Sequence, residues 1–135
     1  NDAADRLNEA ALRGLCRDDP IVLKSEIGRA ISVKGTDPDA ALEMLTRLRP
    51  MMAQCRDRAV REEYAEKMAW VLASLRRHQE AEPFAAESVE LARAEYGPES
   101  TMALCNMYMH GVLLFGLSRA DEGMPILKRV LATQT

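Results

Sequence analysis

The feature that most limits how this chain can fold is a pair of small residues that recurs at a near-constant interval. Gly28, Ala69 and Gly111 are separated by 41 and 42 residues, and Ala40, Ala81 and Gly123 by the same two steps. In each copy the two small positions lie 12 apart, with apolar helical patterning before and after them. An interval of this length points to a repeat of one supersecondary unit. Small side chains at two fixed places let a pair of helix backbones approach at their crossing, where a larger residue would overpack. Gly28, Ala69 and Gly111 are therefore expected on the first helix of each pair. Ala40, Ala81 and Gly123 are expected to face them from the second.

Composition agrees with helix. Hydrophobic residues make up 47% and charged residues 29%, a globular balance, while aromatics are only 4%. Alanine and unbranched side chains dominate, and runs of β-branched residues are scarce. The pattern predicts a leading helix over 1–16 with Leu7, Ala11 and Leu15 on one face. A second helix is expected over 20–33 with the stripe Leu23, Ile27 and Ile31, and Gly35 after its end. The third begins at Pro38, capped by Thr36 or Asp37, and Pro50 ends or kinks it. Further helices are predicted over 59–75, 79–96, 101–117 and 121–133, with Arg76-Arg77-His78 as a turn and Gly97-Pro98 as a stop. The expectation is thus an all-α chain of about seven antiparallel helices, divided as a leading helix 1–16 and repeats 18–57, 58–98 and 99–135. One such pair cannot bury its apolar face alone, so successive pairs must stack into a solenoid.

Several function classes are disfavoured. The net charge is −3 and the 18 basic residues are scattered, which argues against a nucleic-acid partner. No apolar run reaches the roughly 18–20 residues that cross a bilayer. Cys16, Cys55 and Cys105 are odd in number and widely spaced, which suggests reduced thiols and a cytoplasmic location rather than a disulfide framework, with a single bridge in an exported domain as the alternative. The chain opens on Asn1, so a fragment or processed product is expected. His110 follows Cys105 by five residues, which separates the two around the helix and speaks against a shared metal or a nucleophile pair. His110 is expected as a half-buried structural histidine and His78 as an exposed turn residue. Glu62-Glu63 and Asp18-Asp19 read as surface or capping carboxylates. No catalytic motif, metal-ligand spacing or phosphate-cradling loop occurs, so neither an enzyme nor a cofactor is expected.

Particular segments carry a family likeness. Arg77-His78-Gln79-Glu80-Ala81-Glu82-Pro83-Phe84 and the later Tyr96-Gly97-Pro98-Glu99-Ser100 resemble the second-helix entry and the exit loop of tetratricopeptide repeats. The nearest likeness is to the 42-residue subtype found in kinesin light chains and many bacterial regulators. Residues 118–131 repeat the entry, and 35–45 form a looser copy. The chain departs from the pattern where Gly123 replaces the usual alanine and His110 a usual leucine. The resemblance implies a right-handed superhelix whose first helices line a concave groove, protein or peptide binding there, and no catalytic machinery. With the first helices aligned on their small residues, the groove candidates are Glu26, Arg29, Glu63, Glu66, Lys67, Trp70, Tyr108 and Met109. Arg29 and Lys67 are expected to hold carboxylates, and Trp70, Tyr108 and Met109 to hold apolar anchors. The module is expected to belong to a larger regulatory protein, with a homodimer or further repeats in the full-length chain; self-association through an apolar last repeat is the alternative function.

Overall fold

The structure is a computed structural model that describes residues 20–134. The leading helix expected over 1–16 lies outside the described residues. Those described form six helices and no strand: α1 (Pro20–Lys34), α2 (Pro38–Met52), α3 (Arg58–Ser74), α4 (His78–Tyr96), α5 (Thr101–Gly116) and α6 (Ala120–Gln134). Connections of three to five residues join helices that pack on one another in chain order, which makes neighbours antiparallel. α1 also reaches α3. The result is a repeat-like, all-helical arrangement of three helix pairs.

Local chemistry sets the boundaries. Asp37 accepts the Ala40 amide at 3.0 Å and starts α2, with Pro38 at the first position, where a missing N–H costs nothing. Asp57 accepts the Val60 amide at 3.1 Å and Ser100 the Ala103 amide at 3.2 Å, starting α3 and α5. Pro50 lies inside α2, which continues to Met52. Gly97 ends α4 at φ +105°, a conformation that disfavours any residue with a Cβ.

The turns inside the pairs are not identical. In α3–α4 and α5–α6 one residue is left-handed, Arg76 and Ser118, each at φ 61°. The next amide then reaches back five residues, Arg77 to the Leu72 carbonyl at 2.9 Å and Arg119 to that of Leu114 at 2.7 Å. In α1–α2 the Asp37 amide reaches back only four, to Val33 at 2.8 Å. All three connections have three residues between helices, but the hydrogen-bonded turn that closes the first spans one residue fewer.

That residue corrects the register of the first unit. Ala41, Ala81 and Gly123 are each the fourth residue of their helix. Counted back through the turn, their partners are Ala30, Ala69 and Gly111, and all six are buried. Gly28 and Ala40 do not hold the crossing. Gly28 is exposed, and a Cβ built on it would meet nothing within 4 Å. Ala40 is only half-buried beside the fully enclosed Ala41. A constant interval put both one or two positions off, because the shorter turn was not visible in the spacing.

The main core joins α1 through α4 with Leu113 of α5. Its largest enclosed side chains include Leu23, Ile27, Leu45, Val60 and Val71. The Tyr64 hydroxyl donates to the Leu45 carbonyl at 2.8 Å, tying α3 to α2 inside it. A smaller cluster of Val89, Leu104, Met107 and Val130 holds α4, α5 and α6 together.

Candidate functional site

α3 and α5 are the first helices of consecutive pairs, and a groove of about 750 Å³ runs between them. Glu66, Trp70 and Ala73 form the α3 side. Tyr108, Val112 and Phe115 form the α5 rim, above a floor that includes Met109 and Leu113. The spacing of the three rim residues, four and then three, places them on one helix stripe. They stay 58%, 46% and 39% exposed, and Trp70 45%, although all are large and apolar. His78 and Gly116 close one end.

Trp70 is flanked by two cations. The Lys34 ammonium sits 4.2 Å from its ring centroid and that of Lys67 5.3 Å, both within cation–π range. Lys67 also lies 3.4 Å from the Glu66 carboxylate. One face of the α3 rim is thus aromatic and cationic, while the α5 rim carries no charge.

Two smaller cavities flank the groove. One of about 420 Å³ lies between α5 and α6, lined by Leu104, Cys105, Tyr108, Leu127, Val130 and Leu131. It shares Cys105 and Tyr108 with the main groove. The other, about 220 Å³, is polar, and Glu62, Glu63, Glu66, Lys67 and Lys24 are among its walls.

Beneath the groove a buried polar link joins three helices. Asn106 of α5 donates from Nδ2 to Glu62 Oε2 of α3 at 3.0 Å and to the Ser88 carbonyl of α4 at 3.1 Å. Glu62, expected at the surface, is 2% exposed. Burial pushes its carboxyl above the ordinary range, against the hydrogen bond from Asn106, which lowers it. His110 of α5 lies 3.0 Å from Glu82 of α4, as a half-buried structural residue. His78 differs from expectation. It is half-buried, with its ring so close to Gly116 that an added Cβ would sit 3.0 Å from Cδ2.

Of the residues singled out in the sequence, the structure gathers Glu66, Trp70, Tyr108 and Met109 around one groove, with Lys67 at its α3 edge. Glu63 lines the small polar cavity instead. Glu26 and Arg29 lie off the groove and pair with each other at 2.9 Å. The register shift explains this. Aligned through Ala30, they correspond to Ala65 and Met68 of α3, which are both buried away from the groove. The same shift brings in Lys34, which sequence reasoning missed and which matches Ala73 and Phe115. Phe115 and His78 were missed as well, since neither lies on the stripe chosen from α3. No group of three or more His, Cys, Asp or Glu side chains suited to a metal ion occurs among the described residues, and no described helix is long and apolar enough to cross a membrane.

The fold and this groove define a class: stacked antiparallel helix pairs with an apolar cleft between first helices. Compared with known families and with curated proteins, the chain matches none.

Proposed function

We propose that the chain is a tetratricopeptide-like interaction module of a larger regulatory protein, whose α3–α5 groove binds a protein or peptide segment without catalysis. The observation that carries this reading is the gathering of four large exposed apolar side chains, Trp70, Tyr108, Val112 and Phe115, around one cleft. A contiguous exposed apolar surface of this kind marks interaction sites more often than chance. Trp and Tyr are also the side chains that most often dominate interface energies. The groove volume lies in the range of sites that bury one ligand segment or molecule.

The test is affinity capture by the full-length parent protein, compared with its Val112→Asp variant. A charge in the middle of the apolar rim should remove the captured partner while circular dichroism stays unchanged. Equal capture by both proteins would overturn the groove reading. The second reading, self-association, is favoured by Leu131, which is 63% exposed beside the α5–α6 cavity. It predicts a dimer by light scattering over a concentration series, converted to monomer by Leu131→Glu. A strict monomer at high concentration would dispose of it.

A further inference from the structure

The hydrogen bond between Glu62 and Asn106 is also a partition between two cavities. Asn106 is part of the groove lining, and Glu62 is part of the wall of the polar cavity of about 220 Å³. Both side chains are almost wholly enclosed, and the 3.0 Å bond between them ties α3 to α5. A carboxylate held in this way is under two opposed demands. As a charge it accepts more strongly from Asn106, but it forgoes the hydration that an ion needs. Burial is the larger of the two influences on Glu62, so its carboxyl holds a proton more firmly than usual.

The charges around it enter the same balance. On α3, Glu66 and Glu63 oppose a further negative charge and Lys67 favours one. Arg58 and Arg61 of that helix are drawn to Glu95 and Glu87 of α4. From the other elements, Lys24 of α1 and Tyr96 of α4 stand on the cavity wall, while α5 contributes only the neutral Asn106 and Met102. Neither α2 nor α6 lines this cavity among the described residues. The cavity thus offers an ionised Glu62 what its inward seat lacks: room for water and two ammonium groups. Leaving that seat costs Asn106 one of its two partners, while the Ser88 carbonyl, at 3.1 Å, remains.

We propose that Glu62 and Asn106 form a proton-operated latch between α3 and α5. Protonated, Glu62 stays on Asn106 and the two helices are braced. Ionised, it turns into the polar cavity, and the freed Asn106 N–H becomes a donor on the groove lining. The effect on binding rests on the α3–α5 groove being the binding face. The latch itself does not, and it is tested without a groove ligand, so either can fail alone.

The test follows the Glu62 carboxyl carbon and the Asn106 side-chain amide by NMR in the full chain, as pH is raised from acid to weakly alkaline. Both signals should move in one step, with a common midpoint above the ordinary carboxylate range. The Asn106 amide proton should shift upfield, as a released N–H does, toward its position in Glu62→Ala. Glu62→Gln should hold the bonded position at every pH. Glu66→Gln should lower the midpoint and Lys67→Gln should raise it, each by roughly half a pH unit, the size of a partly screened charge pair. A downfield shift of the amide would mean that the bond tightens with charge, and it would overturn the latch. So would an amide that stays in place while the carboxyl titrates, or a carboxyl that titrates within the ordinary range. Loss of the step in Glu66→Gln would assign the titration to Glu66 and overturn it too. If Glu62→Ala does not fold, the direction of the shift and the comparison with Glu62→Gln decide.

Discussion

The pairs α3–α4 and α5–α6 turn in the same way but meet differently. Both use a left-handed residue and a five-residue reach-back at the turn. At the crossing, however, α3–α4 holds Ala69 and Ala81, both fully enclosed, so there is room for two methyl groups. In α5–α6 the same positions are Gly111 and Gly123, and a Cβ on Gly123 would sit 2.8 Å from the Gly111 carbonyl oxygen. The second pair also faces outward with different residues. Where α3 carries Glu66, Trp70 and Ala73, α5 carries Tyr108, Val112 and Phe115. Where α4 buries Val89, α6 exposes Leu131. One backbone scheme thus supports one pair that buries Val89 and turns Trp70 to the groove, and another that exposes Leu131 and turns Tyr108, Val112 and Phe115 to it. The scaffold fixes where a side chain stands, and the residue type decides whether that place serves stability or contact.

The comparison can be broken at its crossing. Gly111→Leu should have the largest effect. Its Cβ would already lie 2.8 Å from Leu127 Cδ2, so a full side chain must drive α6 away. A loss of more than about 3 kcal/mol is expected, since this exceeds ordinary overpacking. Hydrogen exchange should show α5 and α6 losing protection while α1 through α3 keep theirs. A uniformly folded variant would count against the close crossing.

Gly123→Ala is a finer probe. Alanine gains about 1 kcal/mol of helix propensity over glycine. Here the new methyl meets a backbone oxygen that cannot swing aside, so a net loss of about 1–2 kcal/mol is expected in chemical denaturation. Gly111→Ala should be milder, because it meets the end of a flexible leucine. If the two variants were equally stable, the backbone contact would not be what sets the difference.

The inner pair can be tested through its buried polar groups. Removing the hydroxyl in Tyr64→Phe leaves the Leu45 carbonyl without its donor, and about 1 kcal/mol should be lost. Burial pushes the Tyr64 phenol up to about 12 from its ordinary value near 10. The folded state then keeps a proton that the unfolded chain releases, so stability falls as pH rises through that window. Tyr64→Phe should flatten that part of the alkaline stability curve.

Glu62→Gln should have the smallest effect, none at acidic pH, and become stabilising as pH rises. The folded carboxyl is raised by burial, so the folded chain holds the proton more firmly than the unfolded one. Stability contributed by the protonated form is present below the ordinary carboxylate range and is lost as pH rises through the raised folded value. The glutamine can still accept from Asn106 and carries no charge to desolvate. It should match the parent at low pH, exceed it at neutral pH and lose this slope. An unchanged slope would place the titration elsewhere.

How much of this was legible in the sequence depends on what each feature needs. The helices, their caps at Asp37 and Ser100 and the stop at Gly97 rest on contacts within a few residues, and local chemistry announces them. The inward stripes of α3, with Tyr64, Met68, Val71 and Leu72 all buried, follow from helical periodicity. The crossings at Ala69, Ala81, Gly111 and Gly123 were visible because two units share one turn length. Ala30 and Ala41 were not, since a turn one residue shorter slides a whole helix face without leaving a mark in composition.

By itself, then, the sequence determined the helical class, the pairing of helices and the outward place of Tyr108 on α5, because periodicity and capping are written in neighbouring positions. Tertiary structure decided which helix faces meet. It turned Glu26 and Arg29 off the groove, brought Lys34 of α1 onto Trp70 of α3, and enclosed Glu62 against Asn106, 44 positions away. Those contacts depend on turn geometry and on the approach of distant backbones, and a hydrogen bond across 44 residues has no local pattern from which to be read.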